Sequence, residues 1–147
     1  MSLDKPSEET LRKMLELQWQ DHFQTRMQTW KALEITALLA VAVVGIDWRT
    51  GDRFVTAVAS LLLILVAQFA IMITLKHRKV ERTKFELISS FEKQLGVAIE
   101  GLKIPEELSW FSIFDIRKSN TPLFIMRALF IIQVFAVGYG FLHSILK

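Results

Sequence analysis

Apolar positions along this chain gather into three long runs, and the polar positions between them follow helical rather than strand spacing. A helix needs about 20 apolar residues to cross a bilayer. Each run meets that length: Trp30 to Trp48, Phe54 to Leu75, and Pro122 to Leu146. The first carries a tryptophan at either end, where amphipathic rings prefer the headgroup level. Between the first and second, Thr50-Gly51-Asp52 is turn chemistry and leaves room only for a tight antiparallel helical hairpin. The third is expected to start at Asn120 or Thr121 as N-cap, with Pro122 in the first turn.

The polar segments are also patterned. Ser7 with Glu8 and Glu9 predicts a helix start. From there Leu11, Leu15, Trp19, Phe23 and Met27 recur every four positions as one apolar stripe. No Gly or Pro interrupts the chain from Ser7 to Val44, so this helix (7–30) is expected to run unbroken into span 1 (30–48). After span 2 (54–75), a charged helix over 76–96 puts Val80, Leu87, Ile88, Phe91 and Leu95 on one side and ends at Gly96 as C-cap. The two polar helices are expected to pair as a stalk. Residues 105–116, with Trp110, Phe111 and Phe114, read as an amphipathic helix lying on the inner leaflet; span 3 (122–146) follows. The expected fold is thus all-α, with three transmembrane helices in one membrane domain, 1–147.

Composition agrees. Of 147 residues 52% are hydrophobic, and the mean hydropathy is +0.34. There is no cysteine, which excludes disulfides and thiolate metal sites. The pI of about 9.3 reflects basic residues beside the apolar runs, where anionic headgroups meet them, so membrane lipids rather than nucleic acid are the expected polyanionic partner. Lys76, Arg78, Lys79, Arg82 and Lys84 form the densest such group, expected to face lipid. Lysines and arginines precede span 1, follow span 2 and precede span 3, Lys103 among them, while the opposite side holds Arg49, Arg53 and Lys147. By the positive-inside rule the N-terminus is cytoplasmic and the C-terminus outside, in a bacterial-type inner membrane. No signal peptide is expected ahead of the first run.

Among the polar residues within the runs, Glu34, Gln68, Arg127 and Gln133 are the functional candidates, because lipid leaves them no water. Glu34 and Arg127 lie at similar shallow depth with opposite charge. They are expected to form an ion pair within or between protomers, to line a pore, or to snorkel separately. Gln68 and Gln133 lie deeper and suit interhelical hydrogen bonds. Gln133, Ala136, Gly140 and Ser144, spaced 3, 4 and 4, make a small, polar face suited to close helix approach.

The stretch Val137-Gly138-Tyr139-Gly140 matches part of a potassium-channel filter. A filter needs an extended loop between two helices, whereas this motif sits inside a continuous apolar run with Ala136 where the filter has threonine, so a helix is expected. His22, His77 and His143 do not share one membrane face, and neither metal, haem nor any other cofactor is expected. Hydrolase and phosphate-loop motifs are missing, so an enzyme is not expected.

The polar helix "LQWQDHFQTRMQTWKALE" entering a two-span hairpin, with "HRKVERTKFELISSFEKQL" leaving it, resembles the layout of SLATT-type small membrane proteins over Glu8 to Leu95. These two-span modules resemble pore-forming effectors. The resemblance implies a homo-oligomer that forms a pore or otherwise perturbs the membrane, under control of a cytoplasmic protein partner; the extra span departs from it. The alternative is a non-conducting accessory or scaffold subunit of a larger membrane complex.

Overall fold

The computed structural model describes residues 7–96 and 104–146, without the side chains of 143–146. Lys103, Lys147 and the side chains of His143 and Ser144 therefore lie outside the described residues. Among the described residues three α-helices make up the fold: α1 (Glu8–Thr50), α2 (Arg53–Gln94) and α3 (Thr121–Leu146). All three contain a segment long and apolar enough to cross a membrane.

The ends are set by capping. The Ser7 hydroxyl accepts from the Thr10 N–H, starting α1. Gly51 ends it at φ 59, a left-handed conformation that glycine adopts without strain, with its N–H bonded to the Asp47 carbonyl. Asp52 then caps α2 by accepting from Phe54 and Val55 N–H, and Gly96 follows the end of α2 at φ 68. The Asn120 side chain caps α3 by accepting from Leu123 N–H at 2.9 Å.

Length determines the architecture. At about 1.5 Å per residue α1 is about 65 Å long, twice the thickness of a hydrocarbon core, and α2 with its 42 residues nearly matches it. The two pair antiparallel from the Gly51 turn to the free ends. The 26-residue α3 lies beside only the apolar half of the hairpin, and the remainder of α1 and α2 forms the expected two-helix stalk.

The α1 stripe differs from the expectation. Covered positions along one side of α1 run Leu11, Leu15, Gln18, His22, Thr25, Thr29, Ala32, Thr36, Ala40, Val43 and Asp47, alternating 4 and 3 as far as Thr36 and stepping 4, 3 and 4 after it. This is the 3.5-residue repeat of a coiled coil. A repeat of four overshoots a helical turn by about 40° per step, so the expected stripe leaves the seam, and Phe23 and Met27 are 60% and 61% exposed. On α2 the seam likewise keeps Ile88, Phe91 and Leu95 but turns Val80 and Leu87 outward.

Residues 105–116 are not an α-helix. The segment has no regular secondary structure from Ile104 to Ser109 and then makes one 3₁₀ turn, Trp110–Phe114. Leu108 and Ile113 are buried against Ala70, Ile71, Leu123 and Met126, while Phe111 and Ile116 stand exposed. The Arg127 side chain ties the end of this segment to α3, as described next.

Candidate functional site

The polar residues inside the bundle occupy three depths. At the hairpin end, the buried Asp47 carboxylate accepts from the Thr56 hydroxyl at 2.8 Å and from the Tyr139 hydroxyl at 2.6 Å, joining all three helices. Residues 138–140 are helical and the Tyr139 hydroxyl is committed to this bond, so no filter loop exists. In the middle, Gln133 Nε2 donates to Gln68 Oε1 at 3.0 Å and to the Ile64 carbonyl at 3.3 Å. Ala136 is buried beside Val43 and Leu63. A Cβ at Gly140 would lie 3.3 Å from Ser60 Cβ, so α2 and α3 pack tightly there. The small face made by Gln133, Ala136 and Gly140 thus packs within the protomer.

At the mouth, where the stalk leaves the three-helix bundle, a cavity of about 700 Å³ opens between α1, α2, the extended segment and the start of α3. His22 from α1 and His77 from α2 both line it. His22 Nδ1 is 3.4 Å from Glu81 Oε1, and its ring packs edge-on against Trp19 and Phe85. Glu81 also accepts from Arg78 at 2.6 Å, and Arg78 donates a second bond to the Glu106 carbonyl. His77 Nδ1 lies 3.1 Å from the Thr29 hydroxyl. Burial lowers the pKa of both histidines below the ordinary value. For His22, Glu81 opposes that shift and Arg26, Lys84 and Arg78 add to it; for His77, Lys84 and Lys76 add to it.

Two expectations about charged residues change. The basic group does not face lipid as a unit. Lys76 and Lys79 are exposed, but Arg78 and Lys84 fall on the α2 seam and turn inward, Lys84 pairing with Asp21. Arg82 pairs with Glu86 and Glu107. Nor do Glu34 and Arg127 pair within the protomer. Arg127 donates from Nε to the Ile113 carbonyl at 3.0 Å and from Nη2 to the carbonyls of Asp115 and Lys118 at 2.6 and 3.1 Å. The planar guanidinium fork thereby gathers three carbonyls and ties the end of this segment to α3. Glu34 is exposed on the outer face of α1 and has no ion-pair partner among the described residues.

Sequence reasoning missed Asp47, which reads as part of the turn, and the convergence of His22 with His77. The available signal was the 3.5-residue register, since 22, 29, 36, 43 and 47 share one seam. Among the described residues no His, Asp and Glu cluster could hold a metal ion. No family model, curated protein or solved structure matches the chain.

Proposed function

We propose that this chain is a homo-oligomeric integral membrane protein, N-terminus cytoplasmic and C-terminus outside, whose assembly opens or perturbs a bacterial inner membrane, as SLATT-type effectors do. The observation that carries this is a reversal of polarity on the outer face of α1. Phe23, Met27, Trp30, Glu34, Leu38 and Val41 follow one another at helical spacing, and all are exposed in the protomer. With Trp30 at the headgroup level, Phe23 lies about 10 Å out in water and Glu34 about 6 Å into the apolar layer. Lipid and water select the opposite arrangement. A second copy of the chain covering this face buries Phe23 and Met27 and gives Glu34 either a partner or a water-filled lumen. The exposed Phe111, Phe114 and Ile116 suit the inner leaflet beside it.

The test is oligomerisation and leakage together. A single cysteine at Leu38, in a chain that has none of its own, should form disulfide-linked dimers in membranes, and the purified protein should release small ions from liposomes. Glu34→Gln should change cation over anion preference. A monodisperse monomer that leaves liposomes sealed would refute the reading and favour the accessory subunit.

A further inference from the structure

We propose that the cavity at the mouth binds a phosphorylated polyol, with Arg26 holding the phosphate and the threonine wall accepting from the ligand's hydroxyls; the source is a glycerophosphate lipid headgroup or a soluble polyol phosphate. Charge pairing singles out Arg26. Arg78 is spent on Glu81 and the Glu106 carbonyl, Lys84 on Asp21, and the Glu106 carboxylate on Lys118 at 2.9 Å. Arg26 makes one hydrogen bond, to the Thr121 hydroxyl at 3.0 Å, and among the described residues no carboxylate lies within 4.0 Å of it. The guanidinium has five N–H donors, so a cationic fork faces the cavity with most of its capacity open. The first turn of α3 adds little, because Asn120 already takes the Leu123 N–H and Pro122 has none.

The threonines that line the cavity, Thr25 and Thr29 beside Arg26 on α1 and Thr74 on α2, have the complementary need. Thr25, Thr29 and Thr74 each direct their hydroxyl proton to the carbonyl four residues back: Asp21, Thr25 and Ala70. A hydroxyl has one proton and two lone pairs, so toward a ligand in the cavity these oxygens can act only as acceptors. Thr29 consequently accepts from His77 Nδ1, which leaves His77 Nε2 a bare acceptor in the neutral ring. Inorganic phosphate satisfies Arg26 alone and a plain polyol the threonines alone, whereas a phosphorylated polyol satisfies both. The volume of about 700 Å³ far exceeds that of one phosphate and fits a small-molecule site.

The experiment uses the full chain in phosphatidylcholine nanodiscs, titrated calorimetrically with glycerol 3-phosphate, inorganic phosphate and glycerol. Glycerol 3-phosphate should bind about tenfold or more tighter than either other probe. Arg26→Gln should weaken both phosphates about tenfold, while Thr74→Val should weaken glycerol 3-phosphate and leave inorganic phosphate unchanged. A second arm adds phosphatidylglycerol to the discs and reads retained lipid by native mass spectrometry. Retention that Arg26→Gln abolishes, with the soluble probe then excluded, identifies the headgroup; equal binding of the soluble probe in both discs with no retained lipid identifies the soluble source. Equal affinity for phosphate and glycerol 3-phosphate in the unaltered protein, or no binding together with no retained lipid, overturns the proposal without depending on how any variant folds.

Discussion

Arg127 offers the sharpest test, because its three bonds end on a segment with few other anchors. Replacing it with Gln removes the charge and the fork that reach the carbonyls of Ile113, Asp115 and Lys118. Hydrogen bonds to a charged group contribute about 1.5–3 kcal/mol each when counted singly. They are not additive here, since desolvating the guanidinium offsets part of the gain and the freed carbonyls lie near enough to the surface to hydrate. We expect a net loss of about 2–4 kcal/mol in docking of the segment, which is about 30- to 700-fold in its opening equilibrium. The buried Leu108 and Ile113 still hold it, contributing about 1.5–3 kcal/mol apiece, so the loss is local.

The reporters are the amides of Ser112, Asp115 and Lys118, which bond to the carbonyls of Ser109, Ser112 and Asp115 within the turn. Hydrogen exchange at these three should accelerate in Arg127→Gln by the factor above, with little change along α3. Arg127→Lys keeps the charge but not the fork and should fall between. Glu34→Gln should leave the three amides as they are. Unchanged exchange in Arg127→Gln would refute the clamp. Rescue of Arg127→Glu by Glu34→Arg would instead establish an ion pair between protomers.

Gly140→Leu should destabilise the α2–α3 contact by about 1–3 kcal/mol through overpacking against Ser60, whereas Ala128→Leu should be mild; steric-trapping unfolding in bicelles compares them, and equal tolerance removes the close approach. Gln68→Leu and Gln133→Leu should show a coupling of about 0.6–1 kcal/mol in a double-mutant cycle by the same assay, and additivity would mean that the bond is not made. His22 and His77 are both lowered below 6.5 in the folded chain, so the unfolded stalk binds protons first on acidification. Their contribution to stability is therefore present above about pH 6.5 and lost as pH falls through the folded values. Melting of the stalk followed by exchange at its amides should show this loss, and a His22→Gln, His77→Gln variant should flatten it. A profile unchanged by that variant would place the acid sensitivity elsewhere.

What the sequence displays and what it hides divide along a physical line. The ends of α1 and α2 and the start of α3 were legible because they are local: the caps at Ser7 and Asn120, the Thr50-Gly51-Asp52 turn and the glycine at 96 act within a turn of the residues they start or stop. Gln133, Ala136 and Gly140 were legible for a similar reason, since small and polar side chains in an apolar run have few uses besides helix contact. The seam of α1 was misread because an apolar count skips polar side chains. His22, Thr25, Thr29, Thr36 and Asp47 all sit on it, and without them the remaining hydrophobes fit a repeat of four better than one of 3.5.

The segment from 105 to 116 was misread for the opposite reason. Its composition suits a helix on a membrane surface, and nothing within it forbids one. Its side chains bond its own backbone instead, Ser112 Oγ accepting from the Ser109 N–H and Asp115 Oδ1 from the Arg117 N–H, and its tie to α3 comes from outside, through a guanidinium that takes three carbonyls and that no residue of the segment signals. The same non-local logic places Arg78 and Lys84 inside the molecule. A charge just past a span looks topogenic when only the chain is read, yet each falls on the α2 seam, where Glu81 and Asp21 compensate it. Inward-turned cations at the mouth, an unpaired arginine beside them and a carboxylate stranded on the outer face of α1 are three departures from the pattern lipid and water would select. Arg78 and Lys84 find their counter-charges within the protomer, whereas Arg26 and Glu34 have no ion-pair partner among the described residues.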